Sequence, residues 1–160
     1  MRAGLTVVGI CLVLSVVIAW QLKGRYKDEL LSVQDLATGL IYYIEEHGGE
    51  FPPSEAEFLA SDFIEHLPDG SVRIAGRPDS DYRRETYGYP IRDLPRFKVA
   101  WGARFEEMSL NERGRVVDGT GRVVQLVAWP SSGSSGREFS MLLYEVSQRA
   151  RQKAATGSGE

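Results

Sequence analysis

The chain has 160 residues, of which 42% are hydrophobic, and its 19 Lys and Arg against 22 Asp and Glu give a formal net charge of −3. Charges of both signs are interspersed after residue 22, and the lack of a basic stripe argues against a nucleic-acid partner. The only cysteine is Cys11, which excludes a disulfide or a Cys-based zinc site within one monomer.

Residues 5–22, LTVVGICLVLSVVIAWQL, form an uncharged run that is dense in Val, Leu and Ile. A helix of about 20 residues, rising ~1.5 Å per residue, spans the hydrocarbon core of a bilayer. The run therefore predicts a membrane anchor over residues 1–22, with the lipid bilayer as a partner. The alternative is a cleaved secretory signal, with Val17-Ile18-Ala19 as the cleavage site.

The orientation of this anchor is set by the basic residues around it. Lys23, Arg25 and Lys27 follow the apolar run, whereas Arg2 alone precedes it. Counting Lys and Arg favours a cytoplasmic C-terminal domain. The family resemblance described below implies the opposite, an extracytoplasmic domain.

The soluble domain is predicted over residues 23–153 and begins with a helical extension over residues 23–47. Its apolar positions recur at steps of three or four, which is typical of one face of a helix. These positions are Val33, Leu36/Ala37, Leu40/Ile41 and Ile44. Gly48-Gly49 supplies the left-handed cap that ends helices, so we expect a long helix that docks on a small domain.

A short helix and several strands follow. Ser54 and Glu57 have the spacing of a capping box, with Phe58, Leu59, Phe63 and Ile64 as a short apolar face, and Pro68-Asp69-Gly70 predicts a turn. From Val72 and Ile74 onward the apolar period becomes two. The clearest alternation covers residues 97–105 and predicts a half-buried strand.

The C-terminal third predicts a small antiparallel meander and a final helix. Turn signals at residues 111–114 and 118–121 flank a short strand, and residues 122–129, RVVQLVAW, continue as a buried strand. SSGSSG at residues 131–136 predicts a flexible loop. Phe139, Leu142, Leu143 and Val146 fit an amphipathic helix, and residues 154–160 predict a disordered tail. The fold class is α+β: a long N-terminal transmembrane helix, an antiparallel sheet and a C-terminal helix.

The chain carries no pattern that predicts chemistry. His47 and His66 suit no metal-ligand spacing, and the sequence has no nucleophile elbow or phosphate-binding loop. Glu45-Glu46 and Glu106-Glu107 are adjacent, so their side chains diverge. We therefore predict no catalytic, cofactor-binding or metal-binding residue, no enzymatic activity and no small-molecule substrate.

Tyr87-Gly88-Tyr89-Pro90 is the most aromatic loop of the chain. Aromatic side chains are enriched at protein interfaces, so Tyr87 and Tyr89 are candidate partner contacts. The same segment could instead cover a sheet edge.

Two segments carry a family resemblance. Gly4-Leu5-Thr6-Val7-Val8-Gly9 and the apolar run after it resemble the prepilin processing site of type IV pilins and type II secretion pseudopilins, where glycine precedes Phe-Thr-Leu-Ile-Glu. HGGEFPPSEAEF at residues 47–58 is similar to the segment that closes the long helix of major pseudopilins. Gly9 stands where that family has its glutamate. The resemblance implies processing between Gly4 and Leu5.

The functional hypothesis is a non-enzymatic, single-pass subunit or accessory component of a secretion-type or pilus-type envelope assembly. Small residues allow membrane helices to pack closely, so Gly9 and Ser15 are candidate contacts with pilin-like subunits or with a second copy. The alternatives are a monomeric, membrane-tethered binding module outside the cytoplasm and a secreted domain after signal cleavage.

Overall fold

The computed structural model describes residues 31–76, 90–92, 94–128 and 136–157. They form an α+β arrangement of helices around short antiparallel strand pairs. The helices are α1 (31–46), α2 (Glu55–Leu59) and α3 (Gly136–Gly157). The strands are β1 (Ile64–His66), β2 (Val72–Ile74), β3 (Lys98–Val99), β4 (Met108–Leu110), β5 (Val116–Asp118) and β6 (Val127–Ala128).

Within these described ranges, no helix is both long enough and apolar enough to cross a membrane. α3 has 22 residues, but charged side chains such as Glu145, Arg149 and Lys153 recur along it. On this finding the predicted transmembrane helix, the single-pass class and the membrane location are wrong. The predicted anchor, residues 5–22, itself lies outside the described residues. The α+β class with a small sheet region and a C-terminal helix is confirmed.

α1 is the central element of the fold. Its predicted apolar face is buried as expected, with Leu36, Leu40 and Ile44 fully inaccessible. The opposite side is buried as well, since Thr38 and Tyr42 are at most 4% exposed. The sequence pattern predicted one buried face of α1, but in the structure the helix is buried on both sides.

Contacts to α1 come from α2 and from the β1–β2 hairpin. A Cβ atom placed on Gly39 would lie 2.7 Å from Ile74 Cδ1 and 3.0 Å from Phe58 Cζ. The backbone of α1 therefore approaches both elements closely, and glycine is what allows it. β1 and β2 pair antiparallel with Ile64 opposite Ile74.

The remaining strands form two more antiparallel pairs, β3 with β6 and β4 with β5. α3 packs against β5 and β6, and two of its polar contacts reach the strand region. Leu126 N donates to Ser140 Oγ at 2.9 Å, and Tyr144 Oη donates to Met108 O at 3.3 Å.

A continuous series of ring contacts runs through the core from α1 to α3. Each ring lies 5.6–6.4 Å from the next, centroid to centroid. The series is Tyr42, Phe63, Phe58, Trp101, Phe51, Phe105 and Tyr144. Edge and tilted arrangements of this kind add to the stabilisation from burial, so these seven aromatic side chains have a structural role.

The predicted strand over residues 97–105 is wrong. Only Lys98–Val99 is a strand, and the chain turns at once because Ala103 N donates to Ala100 O and Gly102 has φ +73°. Gly102 N then donates to Pro52 O at 2.8 Å. Alternation alone does not reveal a bond to a residue 50 positions away.

Three further boundaries differ from expectation. The buried strand expected over residues 122–129 is reduced to a single bridge, Val117 with Val123, and to β6. Phe63 and Ile64, expected on the face of the short helix, lie beyond α2, and Ile64 begins β1. The predicted domain end at residue 153 falls inside α3, which continues to Gly157.

Candidate binding groove

The partner and processing residues expected from the sequence lie outside the described residues. They are Gly4, Leu5, Gly9, Ser15, Tyr87 and Tyr89. The expected roles of these residues therefore stay predictions.

An open groove of about 630 Å³ lies where the turn after α1, the segment after β3 and the C-terminal half of α3 meet. Its volume is within the range of about 300–1,000 Å³ that ligand sites occupy. It is lined by Gly48, Glu50, Phe51, Pro53, Gly102, Ala103, Arg104, Glu106 and Arg151. Six of these nine residues are exposed, namely Gly48, Glu50, Pro53, Gly102, Arg104 and Glu106.

Two consecutive glycines build the first wall. Gly48 and Gly49 end α1 with φ +61° and +97°, a backbone region that glycine adopts without the steric cost of a Cβ atom. Gly49 also lies directly against α3, because a Cβ atom placed there would be 2.7 Å from Ser147 O and would overlap the Arg151 side chain. The predicted end of the helix at these glycines is confirmed, and the same turn forms a contact with α3.

Arg151 joins both walls of the groove. Its Nε donates to Gly49 O at 3.4 Å, and its Nη2 donates to Glu106 Oε2 at 2.9 Å. Ser147 Oγ, one helical turn earlier, donates to the same Gly49 carbonyl at 2.5 Å. The turn after α1 is therefore held to α3 by two side chains, and Arg151 also holds the segment that carries Glu106.

The charged groups of the groove are largely paired. The hydrogen bond from Arg151 is the main cause that lowers the pKa of the Glu106 carboxyl below its ordinary value. Arg104 pairs with Glu107 at 3.3 Å. The expectation that Glu106 and Glu107 diverge is confirmed, since the two carboxylates bind different arginines.

A buried tyrosine lies at the end of α1 close to this wall. Tyr43 Oη donates to Glu57 Oε1 at 3.4 Å, and the Tyr43 ring stacks on His47 at 3.8 Å between centroids. Burial is the largest cause that raises the pKa of the Tyr43 hydroxyl, followed by the negative charges of Glu57, Glu50 and Glu46.

The histidines have local partners. His47 Nδ1 donates to Tyr43 O at 2.9 Å, which fits the predicted role at a helix C-terminus. His66 Nε2 donates to Leu59 O at 3.0 Å, but His66 lies in β1 and not at a helix end as predicted. In the part of the chain that the structure describes, no group of three His, Cys, Asp or Glu could hold a metal ion.

Comparison with known proteins adds no relative: no family model, no curated protein and no solved structure matches the chain. The pilin resemblance is therefore untested and stays a prediction.

Sequence reasoning missed the groove and its central residue, Arg151. The sequence carried only a partial signal, since glycines mark the two turns that form the walls, at Gly48-Gly49 and at Gly102. Nothing in the local pattern indicates that these turns meet, because the residues that join them, Pro52 with Gly102 and Arg151 with Gly49 and Glu106, are far apart in the chain.

Proposed function

We propose that this chain is a non-catalytic binding domain whose groove accepts an extended polypeptide segment of a partner protein. The observation that carries the proposal is the openness of the groove: six of its nine lining residues are exposed. Small-molecule sites instead enclose most of the ligand surface. An open groove leaves room for a chain that continues beyond it.

The composition of the lining supports the same class of ligand. Pro53 and Ala103 offer apolar surface, and four charged side chains surround it. This mixture of an apolar centre and a polar rim is typical of protein–protein contacts. Arg151 is bonded to both Gly49 O and Glu106, so it holds the two walls together before a ligand binds, which lowers the entropic cost of binding.

The test is selection from a displayed library of random peptides of about ten residues, each spanning ~33 Å when extended. The full 160-residue chain is immobilised, and the dissociation constants of enriched peptides are measured by fluorescence anisotropy. In the Ala103→Trp variant the indole occupies the groove, so we expect binding to weaken by about tenfold or more.

The matched control is Ala75→Trp, because Ala75 is exposed and is not part of the groove lining. This variant should bind as the unmodified chain does, and circular dichroism establishes that both variants are folded. Selection that enriches no peptide would contradict the proposal, and so would peptides whose affinity is the same for both tryptophan variants.

A further inference from the structure

The charges that line the groove are not equivalent. Arg151 is bound to Glu106 at 2.9 Å and Arg104 to Glu107 at 3.3 Å, so each arginine already has a carboxylate partner. Glu50 also lines the groove and is exposed, and its carboxylate forms no ion pair with a described residue. The four charged side chains that line the groove sum to zero, but Glu107, beside the lining, pairs with Arg104, so the negative charge of Glu50 is left in excess.

The neighbouring surface adds to this negative charge. Glu57 accepts the hydroxyl of Tyr43, whose pKa is raised first by burial and then by the charges of Glu57, Glu50 and Glu46. The carboxylates of Glu50 and Glu57 therefore both act on the Tyr43 hydroxyl. A ligand that approaches from this side meets a negative potential, which attracts a positive group.

The apolar lining suits a particular kind of cation. Pro53, three positions after Glu50, is exposed and lines the same groove, whereas the neighbouring Phe51 is buried in the core. Lys and Arg place an apolar stem on such surfaces while the charged head stays at the rim. A compact cation without a stem would leave this surface uncovered.

We infer that the partner segment presents a Lys or Arg side chain whose charged head pairs with Glu50 and whose stem lies over Pro53. This inference rests on the proposed function and narrows it to one class of polypeptide. Glu50 acts here as a specificity residue, because it favours basic segments over neutral and acidic ones.

The experiment uses the peptides that the library selection yields. Enriched peptides should carry Lys or Arg more often than the unselected library. Replacing the critical basic residue of one peptide by Gln should weaken binding to the full chain by about fivefold, the upper range for an exposed ion pair. The Glu50→Gln variant should lose the same factor and should no longer distinguish the two peptides.

Glu112→Gln is the control, since Glu112 is an exposed carboxylate in the β4–β5 turn, outside the groove lining. It should retain the full discrimination. Raising the salt concentration to about 1 M, where the Debye length is ~3 Å, should reduce the discrimination by the unmodified chain.

The outcomes separate the two proposals. The inference would be overturned if the peptides that bind in the groove carry no excess of Lys or Arg. It would also be overturned if Glu50→Gln and Glu112→Gln weaken their binding by the same factor. Either result would leave the proposed function standing. A selection that yields no peptide would overturn both.

Discussion

Gly49 meets two demands at once. Its φ of +97° lies in the left-handed region, and α3 occupies the space where a side chain would be. Gly48 has a similar backbone, with φ +61°, but open space around it. A side chain at Gly48 would therefore meet only backbone strain, whereas a side chain at Gly49 would meet both backbone strain and a steric clash with α3.

We expect Gly49→Ala to lower the free energy of unfolding by about 2–4 kcal/mol, of which 1–2 kcal/mol is the left-handed conformation and the rest is overlap with α3. Gly48→Ala should lose only the first part, about 1–2 kcal/mol. Urea denaturation of both variants measures the difference. Equal losses would show that α3 does not pack against Gly49 as described.

α2 is only five residues long, yet it anchors the core. Ser54 Oγ accepts from Glu57 N at 3.2 Å, so the Ser54 half of the predicted capping box is confirmed, whereas the Glu57 carboxylate accepts the Tyr43 hydroxyl. Phe58 is fully buried and lies between Phe63 and Trp101 in the aromatic series. A helix this short gains little from its own hydrogen bonds, so this side chain supplies most of its stability.

The expected loss for Phe58→Ala is about 3–5 kcal/mol, because the removed ring leaves a cavity against α1. Leu110→Ala is the comparison, since Leu110 is 40% exposed in β4, and it should cost less than about 1 kcal/mol. Thermal and urea unfolding give both values. A loss at Phe58 no larger than that at Leu110 would mean that α2 is not part of the core.

Elements whose signals are local could be predicted from the sequence. The end of α1 at Gly48-Gly49, the cap at Ser54 and the turn at Gly70 depend on residues within a few positions of each other, and all three are found. The strand over residues 97–105 could not be predicted correctly, because Gly102 bonds to Pro52. The groove could not be predicted for the same reason, since its walls are far apart in the chain.

At the scale of the whole molecule, stability should depend on pH through a few perturbed groups. Hydrogen bonds from Ser71, Arg151 and Thr120 are the leading causes that lower the pKa values of Asp69, Glu106 and Asp118, respectively. Lowered pKa values stabilise the fold above the unfolded values near 4, and this contribution disappears as pH falls through the folded values.

The raised pKa of Tyr43 acts in the opposite direction. Its contribution is complete below the unfolded value near 10 and is lost as pH rises through the folded value. We expect a plateau in the urea midpoint between about pH 5 and pH 9, with a decline on each side.

Single substitutions can show which group causes the loss of stability at acid pH and which causes it at alkaline pH. Glu106→Gln should make the acid decline smaller but not abolish it, because Asp69 and Asp118 still contribute, and should leave the alkaline side unchanged. Tyr43→Phe should make the alkaline decline smaller and leave the acid side unchanged. Urea midpoints measured across the pH range provide the comparison. An acid decline that is identical with and without Glu106 would show that its bond to Arg151 does not contribute to folding.

The bonds from α3 to Gly49 also have a consequence for how the molecule is made. Ser147 and Arg151 are 98 and 102 positions from Gly49, and translation reaches them after every other residue that lines the groove. A nascent chain therefore carries both glycine turns long before α3 can hold them together. The ribosome must pass Arg151 before α3 can bind the turn at Gly49, so the groove is completed only after both glycine turns have been made.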